Sequence, residues 1–100
     1  MQFDCFDWDD GNWPKCGKHG VSQAEIEAVL GNRASQIFPD TAHGLIEVRE
    51  LAIGVSPLNG HAMAIFFTRR AIDGGVLLRP ASARYMHDKE VRKYEQTRRS

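Results

Sequence analysis

Cysteine, proline and long apolar runs are scarce in this chain of 100 residues, which has two cysteines and four prolines. It contains no apolar run of about 18 residues, the minimum for a transmembrane helix. The acidic first ten residues lack the charged and apolar regions of a signal peptide. We therefore expect a cytoplasmic protein without membrane contact. With so few cysteines and no secretion signal, Cys5 and Cys16 are expected to be reduced thiols.

Net charge is also missing, because 13 basic residues balance 13 acidic ones and the pI is 6.9. Nucleic-acid binding through overall charge is typical of domains with a pI above about 9, so that mode is excluded. The charges are nevertheless segregated: residues 1–50 hold four bases and nine acids, and residues 51–100 hold nine bases and four acids. These halves, at −5 and +5, either neutralise each other in the fold or leave a local basic patch for a partner.

The apolar content of 42% in a chain of this length is enough for one hydrophobic core, so we expect a single domain over residues 1–100. Periodicity and turn signals predict its elements in order. These are an edge strand or extended arm over 2–8, at most one helical turn over 14–18, a helix over 22–30, strands over 35–38, 46–55, 61–68 and 75–82, turns over 56–60 and 69–75, and a helix over 88–97.

The first helix has the clearest local signal. Ser22 and Glu25 form a capping box, Val21 stands where a hydrophobic staple would meet Ile26, and Gly31 supplies the stop. The nearly all-apolar run 61–68 suits the centre of a sheet, and the last three strands run as a meander. The sequence therefore predicts an α+β fold, a small antiparallel sheet with an N-terminal helix and a C-terminal helix packed on it.

Two arginines lie on the last predicted strand and its exit, in the segment Arg79-Pro-Ala-Ser-Ala-Arg84, and a basic helix beginning near His87 follows. The forked donors of guanidinium groups suit phosphate oxygens. Arg49, on an earlier strand of the same sheet, joins them if its side chain leaves the core face. The pattern indicates a site that holds phosphate.

Several segments, in order and with similar spacing over nearly the whole chain, resemble the BrnT toxins of bacterial toxin–antitoxin modules. They are Phe6-Asp-Trp-Asp9, Lys18-His-Gly-Val21, Arg49-Glu-Leu-Ala-Ile-Gly54, Phe67-Thr-Arg69, and Arg79 to Arg84 with Glu90 and Tyr94-Glu95. The resemblance implies a RelE-like fold and a ribonuclease that arrests translation without a metal or cofactor. It also implies a cognate BrnA-like antitoxin through which alone the toxin would meet DNA.

Two positions depart from that family's pattern. BrnT-like sequences usually hold a helix between the Trp-Asp pair and Lys-His-Gly, whereas Gly11, Pro14 and Gly17 occupy that stretch here. The family tends to have a threonine at the start of its last helix, in a Thr-x-x-Glu cap, and here His87 precedes Glu90 instead. Histidine caps more weakly than threonine, so His87 could serve another purpose.

Metal-free RNA cleavage needs a base for the 2′-hydroxyl, cations for the charge on the pentacovalent phosphate, and an acid for the leaving oxygen. The expected charge-stabilising residues are Arg49, Arg79 and Arg84. His19, from the matched Lys-His-Gly, is the first candidate for proton transfer, since imidazole titrates near neutral pH. His87 is the second, because a helix N-terminus favours its neutral form. Further expected RNA contacts are Lys18, His87 and Arg92.

Each of these assignments has a structural alternative. His19 could hydrogen-bond backbone in a turn closed by Gly20, and Arg84 with Glu90 could be an ion pair that anchors the C-terminal helix. Tyr94 is expected to be a core-facing aromatic, with its hydroxyl at the rim.

Other residues suit packing or solvation better than chemistry. The tryptophans Trp8 and Trp13 are expected to pack rather than to stack bases. A zinc site at Cys5, Cys16 and His19 lacks a second half, and the acids Asp4, Asp7, Asp9 and Asp10 lack a calcium-loop pattern, so no metal is expected. The competing function is a non-catalytic module, such as a degenerate toxin, that binds a basic partner protein.

Overall fold

The structure, a computed structural model, describes residues 2–40 and 49–99, with residues 96–99 described for the backbone alone. In chain order its elements are β1 (Cys5–Phe6), a 3₁₀ turn (Lys15–Gly17), α1 (Gln23–Gly31), β2 (Gln36–Asp40), β3 (Arg49–Val55), β4 (Ala62–Ile72), β5 (Gly75–Tyr85) and α2 (Asp88–Arg99). Five strands in one sheet with two helices confirm the predicted α+β fold. Residues 46–48 of the predicted third strand lie outside the described residues.

The sheet has the order β1-β5-β4-β3-β2. Strands β2 to β5 pair antiparallel in succession, whereas β1 pairs parallel with β5. The central place of β4 and the edge position of β1 were both predicted from hydrophobic pattern. Strand β4 is covered on both faces over most of its apolar part, as its continuous apolar sequence requires.

The bounds of β1, β2, β4 and β5 differ from the prediction, and β1 is shorter than the predicted arm over 2–8. The hairpin β4–β5 is longer, since β4 continues to Ile72 and β5 reaches Tyr85, which leaves Asp73-Gly74 as the turn. Gly74 has φ 73° there, a conformation that favours glycine. Strand β2 begins at Gln36 and runs through Pro39. Proline is tolerated because β2 is an edge strand, where a missing N–H breaks no ladder.

Helix α1 forms as its sequence predicts. The Ser22 backbone N–H donates to Glu25 Oε1 at 3.0 Å, and the Glu25 N–H donates to Ser22 Oγ at 3.2 Å, which completes the capping box. The helix ends at Gly31, one residue after the predicted last residue, Leu30. Its buried side includes Ile26 and Val29, which belong to the same core cluster as the inward side of β4. Gly54, on β3, allows α1 to pack closely on the sheet, because a Cβ at this position would lie 2.8 Å from Val29 Cγ1.

Helix α2 covers the opposite face of the sheet. Its Tyr94 ring packs on Phe38 with centroids 5.2 Å apart, as expected for a core-facing aromatic. Of the helices in the described ranges, none is long and apolar enough to cross a membrane.

The N-terminal segment packs through its aromatic side chains. Trp8 and Trp13 make an edge contact with centroids 5.6 Å apart, and both pack against the core, as predicted. Cys5 is exposed and Cys16 is buried, and neither is in a disulfide in the part of the chain that the structure describes, so their reduced state stays a prediction. Burial raises the pKa of the Cys16 thiol.

Candidate functional site

A row of three side chains crosses the sheet from β3 to β5. Arg49 pairs directly with Thr68, and Thr68 pairs directly with Arg79. Directly opposed residues in a sheet share a face and lie close together. The three residues line a surface depression together with Lys15 and with Gly11, Asn12, Pro80 and Ala81. This concavity, named here the Arg79 depression, contains two of the arginines that the sequence predicted.

A β-bulge lies beside this depression. Phe67 pairs with Pro80 and Phe66 pairs with Ser82, so Ala81 is the extra residue on β5. Proline fits at a bulge because it has no N–H to donate to the ladder. The Pro80 carbonyl is free to accept a hydrogen bond from another segment.

That bond comes from Asn12, a buried side chain that no sequence signal singled out. Its Nδ2 donates to the Pro80 carbonyl and to the Asp7 carbonyl, both at 2.9 Å, while its Oδ1 accepts from the Asp9 N–H at 2.8 Å. A buried side-chain amide is stable only when its donors and acceptor are satisfied. The bond to Pro80 fastens the N-terminal segment to β5, and the bonds to Asp7 and Asp9 fix the shape of the segment itself. The glycine-rich stretch over residues 11–17 is therefore held next to Arg79.

Two carboxylates of that segment bind Arg79. Its Nη1 and Nη2 donate to the two oxygens of Asp9 at 2.9 and 3.0 Å, and Nη1 also donates to Asp7 at 3.3 Å. The hydrogen bond to Asp9 raises the pKa of Arg79, and the same bond, with the Gly11 N–H, lowers the pKa of Asp9. A Cβ on Gly11 would lie 3.1 Å from Arg79 Nη2, so glycine allows this approach. No described residue accepts a hydrogen bond from Arg79 Nε.

Further ion pairs connect acids of the first half to bases of the second. Arg69 pairs with Glu50, and Arg70 Nη1 lies 3.7 Å from Asp7 Oδ2. The interpretation that the two halves neutralise each other is thus confirmed for these groups and for Arg79. At the depression the positive charge is only partly neutralised. Arg79 has carboxylate partners, whereas Lys15 and Arg49 have no ion pair or side-chain hydrogen bond to any residue in 2–40 or 49–99.

Arg84 belongs to a different group on the same face. It pairs with Ala64 in the sheet, four residues along β4 from Thr68, which is about 13 Å at the usual rise per strand residue. Its Nη1 and Nη2 donate to Glu90 at 2.7 and 2.8 Å, so the predicted anchor of the C-terminal helix exists. The Arg84 hydrogen bonds, with the His87 N–H, lower the pKa of Glu90 to about 2.

The remaining sequence-predicted residues lie outside the described lining of the Arg79 depression. Lys18 and His19 are exposed in the turn before α1, which Gly20 closes at φ 90°. His87 is exposed at the start of α2, where its N–H donates to Glu90 at 3.1 Å. Arg92 is exposed on α2. The structure therefore brings Arg49 and Arg79 together and adds Lys15, while the other assignments remain predictions.

Metal-ligand groupings were also sought. Among the described residues, no three histidine, cysteine, aspartate or glutamate side chains are grouped so that they could hold a metal ion. Asp7 and Asp9, considered above as a cation site, instead bind Arg79.

The chain was then compared with known proteins. A family model described as the ribonuclease toxin BrnT of type II toxin–antitoxin systems matches residues 8–90. The chain belongs to the BrnT family. A search of curated proteins found no match. The family match confirms the resemblance seen in the sequence and spans both the Arg79 depression and the Arg84–Glu90 pair. Membership of the BrnT family makes the protein a toxin of the ribonuclease type and implies an antitoxin partner.

Proposed function

We propose that the protein cleaves RNA without a metal ion at the Arg79 depression, with Arg49 and Arg79 stabilising the charge of the reacting phosphate. The observation that carries the proposal is the alignment of both arginines across Thr68 in one concavity. Guanidinium groups fixed at the place where negative charge develops stabilise a transition state more than flexible or solvated cations do. Arg79 is fixed by Asp9 and Asp7, and its Nε–H has no acceptor among the described residues.

In this reaction the 2′-oxygen loses its proton to a base and forms a bond to phosphorus. The bond from phosphorus to the 5′-oxygen breaks, and the 5′-oxygen takes a proton from an acid, which leaves a 2′,3′-cyclic phosphate and a 5′-hydroxyl. No metal is required when cations meet the phosphate charge and protonatable groups serve both proton transfers. We assign the proton transfers to His19, with His87 as the second candidate, and Arg84 to a secondary charge contact. None of these three residues belongs to the described lining of the depression, so the assignment requires that the turn before α1 bring His19 to the reacting nucleotide when RNA binds. We also assign Lys18, His87 and Arg92 to contacts with the rest of the RNA.

Cleavage of labelled RNA by the purified protein in EDTA tests both the activity and its metal independence. Arg79→Ala and Arg49→Ala are each expected to slow cleavage, while Arg33→Ala, which removes an exposed cation between α1 and β2, is the matched control. Thermal unfolding shows whether each variant is folded. Cleavage that requires an added divalent ion would refute metal independence, and full activity of folded Arg79→Ala would refute the site.

Translation arrest and its relief form the second part of the proposal. RNA cleavage by the toxin removes messages and stops protein synthesis, and a BrnA-like antitoxin with a DNA-binding domain neutralises the toxin. The family match supports an antitoxin partner in general. Expression of the chain is expected to stop incorporation of labelled amino acids. Co-expression of the adjacent reading frame is expected to restore it, and continued arrest would refute that pairing.

One observation favours a non-catalytic alternative. The guanidinium forks of Arg79 and Arg84 both face carboxylates in the free chain, as they would in a degenerate toxin that only binds a basic partner. The two functions differ in one result: the alternative predicts a stable complex with the antitoxin and no RNA cleavage at any enzyme concentration.

A further inference from the structure

We propose that Lys15 is a phosphate-binding residue of the Arg79 depression, where it contacts a phosphodiester of single-stranded RNA together with Arg49 and Arg79. This inference rests on the proposed function, since it takes RNA as the occupant. No motif in the sequence singles out Lys15, and the matched Lys-His-Gly segment begins three residues later, at Lys18.

The position of Lys15 follows from what fastens its segment. Lys15 begins the 3₁₀ turn Lys15–Gly17, and the next residue, Cys16, is 1% exposed and packs in the core. Three residues before Lys15, the Asn12 amide holds the chain to Pro80 on β5. The Cys16 N–H also donates to the Asn12 carbonyl at 2.9 Å. Lys15 is thus held between two buried anchors, and its side chain lines the depression.

Charge balance shows what the depression lacks. Three cations line it, and among residues 2–40 and 49–99 ion pairs with carboxylates are made by Arg79, with Asp7 and Asp9. Lys15 and Arg49 make no ion pair with a residue of these ranges, although Asp40 lies directly opposite Arg49 in the sheet, so one acidic neighbour offsets part of the positive charge. Like charges gathered without counterions destabilise a fold, and a bound anion would relieve that repulsion. A phosphodiester has the charge and the acceptor oxygens to serve all three donors.

RNA is favoured over a carboxylate ligand by the geometry of the free donors. Arg79 already holds carboxylates at its Nη groups, so the free Nε–H, the Arg49 fork and the Lys15 ammonium remain. These donors come from three separate elements that line one depression, which suits a phosphate group with oxygens in several directions. A lysine ammonium contributes to such a site as a point charge with rotatable donors.

The test measures binding apart from cleavage. The probe is a single-stranded oligonucleotide with 2′-O-methyl groups, which keeps the phosphates and lacks the attacking hydroxyl. The full chain and its variants are titrated at several salt concentrations. Lys15→Ala is expected to weaken binding about 5-fold and to reduce the slope of log K against log salt by about 0.7, the value for one phosphate contact on a single strand. Lys15→Arg is expected to keep both quantities.

Three comparisons make the result decisive. Lys15→Glu is expected to weaken binding more than Lys15→Ala does, and Arg33→Ala is the control with the same loss of charge outside the depression. If Lys15→Ala has the affinity and the slope of Arg33→Ala, the assignment of Lys15 is wrong. If Arg79→Ala weakens binding and Lys15→Ala does not, only this inference fails. If the wild type does not bind the probe, or none of the depression variants changes binding, the proposed site fails with it.

A contact with the antitoxin is the other outcome to separate. The same variants are titrated with the purified antitoxin. Lys15→Ala that weakens antitoxin binding but leaves the oligonucleotide affinity unchanged would assign Lys15 to the protein interface and overturn the proposal.

Discussion

Strand β5 carries two arginines on the same face of the sheet, one in its N-terminal half (Arg79, the Arg79 end) and one next to its last residue (Arg84, the Arg84 end), and they are used differently. At the Arg84 end, Arg84 gives both Nη groups to Glu90, which lies at the start of α2. At the Arg79 end, Arg79 is held by carboxylates of the N-terminal segment but shares its depression with Arg49 and with Lys15, which has no ion pair to any described residue. The surroundings of each guanidinium, and not its presence, therefore indicate whether it holds the fold or is available to a ligand.

The Arg84 end fastens both helices. Tyr85, the neighbour of Arg84, points to the opposite face of the sheet, where its hydroxyl donates to Glu25 Oε2 at 2.6 Å. The Ser56 hydroxyl donates to the same oxygen, also at 2.6 Å. Glu25 is therefore a buried carboxylate held by neutral donors, and it joins α1, the β3–β4 turn and β5. Polar groups at the Arg84 end are hydrogen-bonded within the protein. At the Arg79 end, Lys15, Arg49 and the Arg79 Nε–H have no side-chain acceptor among the described residues.

The largest expected effect is the loss of activity at the Arg79 end. Arg79→Ala is expected to lower the rate of RNA cleavage by about 10²–10³-fold, the usual loss when one fixed donor to a transition-state anion is removed. Arg84→Ala is expected to lower it at least ten times less, because Arg84 lies about 13 Å along the sheet from the Arg79 depression. Single-turnover cleavage rates of folded variants measure the difference. Equal losses, or a larger loss for Arg84→Ala, would reverse the comparison and move the site toward α2.

The free energy of unfolding is expected to depend more on the Arg84 end than on the Arg79 end. Glu25→Ala removes the acceptor of Ser56, Tyr85 and the Ser22 N–H, and stranded buried donors cost about 1–3 kcal/mol each before relaxation. A net loss of about 3 kcal/mol in the free energy of unfolding is expected from urea titrations. Glu27→Ala, on the same helix, is the matched control, since it loses a single bond from Trp8 Nε1. Equal losses in the two variants would contradict the fastening role of Glu25.

Acid sensitivity is expected to come from the same end. Burial acts to raise the pKa of Glu25, but hydrogen bonds from Ser56, Tyr85 and Ser22 outweigh it and lower the pKa to about 2. Because the folded-state pKa lies below its usual value of 4.5, this stabilisation is complete above about pH 4.5 and is lost as the pH falls toward 2.

Thermal unfolding between pH 7 and pH 3 measures this loss. Glu25→Gln is expected to be less stable at pH 7 and to lose less of its melting temperature on acidification than the wild type does. Glu90→Gln is the comparison variant. The pKa of Glu90 is also lowered to about 2, but its main cause is the hydrogen bond from Arg84, whose side chain is partly exposed. If the melting temperature of Glu25→Gln falls with pH as steeply as that of the wild type, other carboxylates cause the acid sensitivity.

How far the sequence could predict this molecule differs between the surroundings of Arg84 and those of Arg79. Several features at the Arg84 end are local: the capping box at Ser22, the helix pattern after His87 and the six-residue spacing from Arg84 to Glu90 are visible in sequence, and each was predicted. The bond from Tyr85 to Glu25 at the same end joins residues 60 positions apart and was not predicted. The Arg79 end depends on contacts between residues about 70 positions apart, such as Asn12 with Pro80. Spacing carries no information about such contacts, so neither Asn12 nor Lys15 could be found without the fold.

The smallest expected effect concerns the Arg84–Glu90 pair itself. Both side chains are about one-third exposed, at 38% and 34%, and solvent screens ion pairs of that exposure to at most about 1 kcal/mol. A double-mutant cycle with Arg84→Met and Glu90→Gln is therefore expected to give a coupling of about 0.5 kcal/mol in urea unfolding. Part of the Glu90 single-mutant loss is independent of Arg84, because Glu90 also accepts the His87 N–H at the start of α2. A coupling above about 2 kcal/mol would mean that the pair is effectively buried and that Arg84 could not exchange Glu90 for a phosphate, which would remove it from the proposed site altogether.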